Sequence, residues 1–299
     1  MTEFYQQLIN GLSLGSIYAL IALGYTMVYG ILRFINFAHS DVFMVGAFAG
    51  FYLSRFVPAQ NVFGGLAVAV GAMILCALLG IVIERLAYRP LRLRHSSNLA
   101  VLITAIGVSL FLENAGQLIF GADFKAFPKL LPVHEFITAG GVRVSSNQLL
   151  VFGMTPLLLA ALQWIVLKTK IGTAMRAVSF NPQAAALVGI NNDRIISFTF
   201  GLGSALAAAG GILWSLNYPL IDPYMGVLPG LKAFVAAVLG GIGNIPGAAL
   251  GGLLLGLIEN FVNGSRYSTF TDAIAFSVLI LILIVRPAGL LGRFQVEKV

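Results

Sequence analysis

Lys168–Arg194 reads KTKIGTAMRAVSFNPQAAALVGINNDR, a polar stretch with helix punctuation set between two segments apolar enough to cross a membrane. Its spacing predicts a short helix, a turn and a second short helix. Thr173 can cap a first turn that runs through Met175 and Arg176 towards Ser179. Asn181 suits an N-cap, because its side-chain oxygen can accept from the free amides of the next turn. Pro182 then falls at the first helical position, where no amide is needed, and Gly189 supplies a left-handed stop. Asn191 or Asn192 caps the helix that re-enters the apolar phase, with Asp193 at its positive end. Joining two spans takes only a few residues, so this longer device needs a reason. One reading is an amphipathic connector resting on lipid; the other is a docking element for a partner.

Working outward, the composition excludes a soluble globular chain. It is 59% hydrophobic and 10% charged, where soluble domains carry about a quarter charged residues. A span takes about 20 apolar residues. Stretches at about 9–30, 36–54, 62–84, 97–117, 147–167, 195–217, 230–262 and 270–287 meet or approach that length. An all-α polytopic membrane protein with about eight hydrophobic segments is expected. The net charge of +7 does not point to nucleic acid, because the basic residues cluster beside apolar spans. Arg85, Arg89, Arg92 and Arg94 follow the third stretch; Lys168, Lys170, Arg176 and Arg194 follow the fifth; Arg286, Arg293 and Lys298 follow the last. The first seven residues hold no Lys or Arg, which places the N-terminus outside and the clusters in the cytoplasm. The single cysteine, Cys76, lies within a span, so neither a disulfide framework nor a cysteine metal site is expected. The first apolar stretch is too long for a cleavable leader and lacks a basic start.

Gly11, Gly15, Ser16 and Ala19 recur at three- and four-residue spacing in the first stretch, a pattern for close helix packing inside the bundle. Arg33-Phe34-Ile35-Asn36-Phe37-Ala38-His39-Ser40-Asp41 then interrupts the apolar phase. Two readings stand for this knot. It is a tight turn between spans with His39 at the interface, or a lining of the solute pathway, since polar groups at membrane depth are functional by default. Glu84-Arg85 closes the third stretch as an interfacial pair worth little. Phe120–Asn147 is an outer loop with short β-prone pieces and a Gly140-Gly141 turn.

The seventh stretch, roughly 33 residues, would make a helix of about 50 Å, too long for a hydrocarbon core of about 30 Å. Its centre, Gly240-Gly241-Ile242-Gly243-Asn244-Ile245-Pro246-Gly247, cannot continue a regular helix. Two half-helices meeting at a break are expected, re-entrant or as two spans, and either choice brings the basic C-terminus to the cytoplasmic side. Interrupted helices in the two halves of a transporter point to its substrate site. Asn36, His39, Asp41, Gly243, Asn244 and Pro246 are therefore the candidate pathway residues.

Gln183-Ala184-Ala185 followed by Gly189 resembles the EAA loop of ABC importer permeases, the cytoplasmic element that docks on the ATP-hydrolysing subunit. Gln183 stands where the usual glutamate would be. The resemblance widens with three segments: SLGSIYALIALGYTMVYGILRFINFAHSDVFMVGAF from Ser13, GTAMRAVSFNPQAAALVGIN from Gly172 and GLKAFVAAVLGGIGNIPGAALGGLLLGLIE from Gly230. Together they resemble the high-affinity branched-chain amino acid permeases of bacterial ABC importers, over nearly the whole chain. Ser40 departs from the glycine common after Phe-Ala-His. The resemblance implies one permease domain over 1–299 in a bacterial inner membrane. It also implies a docking loop at 168–194, with Arg176, Asn181, Pro182, Gln183, Ala184, Ala185 and Gly189 as its site. Implied partners are a second homologous permease, two ATP-binding subunits that hold the ATP, and a periplasmic binding protein; no nucleic acid is implied.

The chain fits a permease without an engine. It contains no Gly-x-x-x-x-Gly-Lys-[Ser/Thr] phosphate loop, and Glu84, Glu113, Glu259 and Asp272 fall towards segment ends rather than in mid-span. Half-helix termini, amides and hydroxyls are left to handle a solute such as a neutral zwitterion. Alternatives are a relative carrying urea, short amides or other amino acids, and, from another class, an ATP-independent channel or secondary carrier. An enzyme is disfavoured, since no span pairs a nucleophile with a base.

Overall fold

The computed structural model describes residues 2–57, 61–132, 134–137 and 141–292; Arg293 and Lys298 of the last basic cluster lie outside them. In chain order the helices are α1 (Thr2–Leu32), α2 (His39–Leu53), α3 (Val62–Ile83), α4 (Arg89–Leu93), α5 (Asn98–Phe120) and α6 (Ser146–Lys168). They continue with α7 (Lys170–Phe180), α8 (Pro182–Leu187), α9 (Asn192–Asn217), α10 (Val227–Gly240), α11 (Ile245–Asn263) and α12 (Thr271–Val285). The β-prone pieces of the outer loop do form strands: β1 (Lys125–Ala126), β2 (Glu135–Ile137) and β3 (Arg143–Ser145). A fourth strand, β4 (Leu220–Ile221), follows α9. β1 pairs antiparallel with β4, and β2 with β3. The protein is an all-α polytopic membrane protein, with seven helices long and apolar enough to span among the described residues.

α1 is the axis of the bundle, buried almost continuously from Gly11 to Val28. The small residues noted in the sequence lie against α11, which runs antiparallel to it. A Cβ on Gly15 would come 2.7 Å from the Leu253 backbone, and one on Gly256 would come 2.2 Å from the Gly15 nitrogen. In lipid, where apolar burial gives no drive between helices, such backbone contact supplies the packing energy. α9 fills the other side of α1, and α2, α3 and α10 close around them. The outer helices α3, α5, α6 and α12 turn Leu, Ile and Val outward, among them Leu78, Ile103, Leu157 and Ile280.

Two faces can be told apart by contact. Ser179 donates to the Gly30 carbonyl near the end of α1, and Gly30 neighbours Gly243. The backbone amides of Leu290 and Leu291 bond Leu239 and Gly240. The end of α1, the polar stretch, the α10–α11 break and the tail of the chain thus share one face, called here the loop face. The first turns of α1 bond Arg143 at the far face.

Both expected interruptions are present. α10 and α11 are separate helices, and their break at 241–244 lies at the loop face. α2 has only 15 residues, about 22 Å at ~1.5 Å each, and it begins inside the bundle. Its first residue, His39, packs on Gly24, well before the end of α1. α3 does not stop at Glu84-Arg85. A π-helical turn over Glu84–Tyr88 carries it on into α4, an arrangement often found at functional positions.

Candidate functional site

The polar stretch folds as helix, turn, helix, with one change of cap. Thr169, not Thr173, starts α7: its hydroxyl accepts from Gly172 N at 3.0 Å. Thr173 lies one turn later and donates back to the Thr169 carbonyl at 3.2 Å. The choice depends on where α6 ends, which the local pattern does not contain. The Asn181 side chain accepts from Gln183 N and Ala184 N, both at 3.0 Å, and Pro182 occupies the first turn. Gly189 adopts φ +86°, the left-handed stop, and Asn191 caps α9.

Of the three alanines of α8, Ala184 and Ala186 are exposed and Ala185 is not. Ala185 is buried at 3% exposure, with the Ile190 amide bonded to its carbonyl. It packs the loop onto its own chain and is unavailable to a partner. Arg176 is likewise engaged locally, donating to the Val166 carbonyl and to Thr173. What the loop presents instead is apolar: Phe180, Leu187 and Val188 are 90%, 89% and 77% exposed, beside exposed Gln183 and Ala184. Three large apolar side chains on a polar, tightly capped loop form a surface that no described residue covers.

The six pathway candidates separate into two groups. Asn36, His39 and Asp41 are buried, which removes the reading of His39 as an interfacial residue. Asn36 accepts from the Tyr88 hydroxyl at 2.6 Å, and Asp41 accepts from Ser109, midway along α5, at 2.5 Å. His39 lies edge-on to Tyr25 at 4.7 Å, and its Nε2 finds no partner among the described residues. Gly243, Asn244 and Pro246 sit at the loop face. There Asn244 caps α11 by accepting from Gly247 N at 3.2 Å and donates to the Leu291 carbonyl at 2.7 Å.

Two polar clusters escape a sequence reading. Glu84 is fully buried and has nothing to do with the exposed Arg85: it pairs with Arg92 at 3.0 Å and accepts from Ser197 at 2.6 Å. Arg92 and Arg89 both hold Asp193 at 2.6 Å, in the first turn of α9. Because Tyr88 on the same π turn reaches Asn36, contacts run unbroken from the α9 cap to the buried start of α2. The second cluster is Lys232 on α10, which pairs with Glu259 at 2.6 Å and Asp272 at 2.7 Å, while Tyr18 donates to Glu259 at 2.8 Å. Lys232, alone inside the apolar run of α10, was the one available signal, since a lone charge there demands a partner.

The chain is thus a membrane bundle with interrupted segments, a buried polar turn and a capped loop that carries an exposed apolar knob. A family model described as "Branched-chain amino acid transport system / permease component" matches residues 7–285. The chain belongs to that family. It is 46% identical to the high-affinity branched-chain amino acid transport system permease protein BraD of Pseudomonas aeruginosa, with all of both chains covered. To LivH of Escherichia coli K12 it is 43% identical, over 99% of this chain and 98% of that one. Among solved structures, PsaBC from Streptococcus pneumoniae is similar at a TM-score of 0.45 and 15% identity, covering 96% of this chain and 91% of that one.

Proposed function

We propose that this chain is the membrane-spanning subunit of an ATP-driven importer for branched-chain or similar neutral amino acids. The observation that carries the reading is identity of 43–46% along the full chain to permeases of high-affinity branched-chain amino acid transport systems. ATP is bound by two partner subunits, a second permease completes the passage, and a periplasmic binding protein delivers the solute. The loop face is cytoplasmic and the N-terminus outside. Arg85–Arg94, Lys168–Arg194 and Arg286 all gather on the loop face, as positive-inside loops do.

The ATP-binding subunit takes Phe180, Leu187 and Val188 into an apolar groove. Closure of that subunit then pulls on α7 and α8, and through Asp193, Arg92 and Glu84 on the π turn that holds Asn36. Such a chain of paired groups transmits motion only when it has two discrete arrangements, and the π turn, one residue wider than an α turn, is the segment able to supply them. Asn36, His39 and Asp41 line the route for solute, and Gly243, Asn244 and Pro246 form its cytoplasmic mouth.

Competition in the assembled transporter, reconstituted with its partners, tests the solute class. Isoleucine and valine are expected to suppress radiolabelled leucine uptake, with urea and acetamide without effect. Suppression by urea or acetamide, with valine inert, would move the chain to the amide-carrying relatives.

A further inference from the structure

A cavity of about 430 Å³ opens at the far face between α1, α9, α10, α11 and the segment that follows α9. That volume falls in the range of small-ligand sites, about 300–1,000 Å³. Its walls are aromatic, with Trp214, Tyr218 and Tyr224 around the mouth and Tyr18 at depth, and Leu228 adds an apolar side. Lys232 and Glu259 form its floor, and Asp222 lines its rim. Lys232 and Glu259 are at least nine-tenths buried, whereas Asp272, the second carboxylate on Lys232, is half exposed. Lys232 is thus paired with two carboxylates, Glu259 and Asp272, and Asp222 adds a third acid to the lining.

We infer that this cavity is an acceptor site for a neutral zwitterionic amino acid on the uptake side, an assignment that rests on the functional reading above. The solute carboxylate takes the place of Asp272 on Lys232, the more replaceable of the two partners because it is solvated. Glu259 keeps its bonds to Lys232 and Tyr18. The solute ammonium then faces the surplus negative charge and the aromatic rings, which attract a cation through their faces. An apolar side chain lies on Leu228 and Trp214. A dianion meets net repulsion here, and an uncharged amide leaves Lys232 and the acids without a new partner. Burying an ion triad within the membrane bundle costs stability, and ionisable groups at that depth are functional by default.

Leu220→Cys, exposed in the lining and outside the contacts assigned to the solute, gives a reporter; the native Cys76 is buried. In the fully assembled transporter, L-leucine is expected to slow maleimide labelling of this cysteine. Leucinamide, which lacks the carboxylate, and 4-methylpentanoate, which lacks the ammonium, are expected to give no protection at the same concentration. Tyr218→Ala in the same background should raise the half-protecting leucine concentration about tenfold, in line with loss of one aromatic–cation contact. A transporter that imports leucine while labelling stays unprotected overturns the cavity assignment and leaves the functional reading intact. Equal protection by leucinamide overturns the zwitterion assignment. A parent transporter that imports no neutral amino acid overturns the functional reading and this assignment with it.

Discussion

Glu84 sits at a helix turn with no exposed surface, and two neighbours occupy both of its oxygens. Arg92 and Ser197 take one oxygen each. Removing the partner of a buried charge costs about 3–5 kcal/mol, so Arg92→Ala, which leaves Glu84 buried without its ion-pair partner, should lower the melting temperature of the purified protein sharply. Arg85→Ala, at an exposed position, should leave it unchanged; equal effects would mean that the ion pair is not structural. Gly24 is constrained in another way, because a Cβ there would come 2.2 Å from the His39 ring. Gly24→Ala is expected to abolish uptake, and Gly24→Ala with His39→Ala to recover membrane levels that the single change loses. A double variant no better folded than the single one would show that the pair does not interact. Local chemistry was readable at this scale: Asn181, Pro182, Gly189 and Asn191 behave as their residue types dictate. Glu84 was not, since Ser197 lies 113 residues away.

Helix α8 and its flanks offer the clearest prediction about a whole element. Its inward residue is Ala185 and its outward ones are Leu187 and Val188, with Phe180 at the end of α7. Leu187→Asp and Phe180→Asp should each leave the chain at its normal level in the membrane while the ATP-binding subunit is lost in co-purification. Ala185→Trp acts differently, since a buried site against its own chain has no room for an indole, and reduced chain level is expected. Gly189→Val should also disturb the loop, because a β-branched residue at φ +86° is strained. Co-purification that survives Leu187→Asp and Phe180→Asp together would place docking elsewhere. The interruptions were legible as elements, because glycine and proline in Gly240–Gly247 forbid a continuous helix. Their depth was not: composition is the same whether a break sits at the surface, as at 241–244, or leads inside, as at the start of α2.

Seen as a whole molecule, the described residues bury their charged side chains in three places: the Glu84–Arg92–Asp193 contacts near the loop face, the start of α2, and the ion triad under the far-face cavity. The apolar segments and the clustering of basic residues beside them followed from apolar length and charge placement, both properties of sequence. The eight stretches, however, became seven helices long enough to span among the described residues, because the second folds as a 15-residue helix. The clusters joining α3 to α9 and α10 to α12 depend on which helices become neighbours, and no local pattern encodes that. The division of labour among subunits is the central claim: this chain provides the passage, and a docked ATPase drives it through the α7–α8 knob. Leucine accumulation in proteoliposomes, with ATP on the loop side, tests it most directly. Uptake should require ATP and the ATP-binding subunits, disappear in Leu187→Asp, and be absent when this chain is reconstituted alone under a leucine or proton gradient. Gradient-driven leucine uptake by the chain alone would contradict the claim.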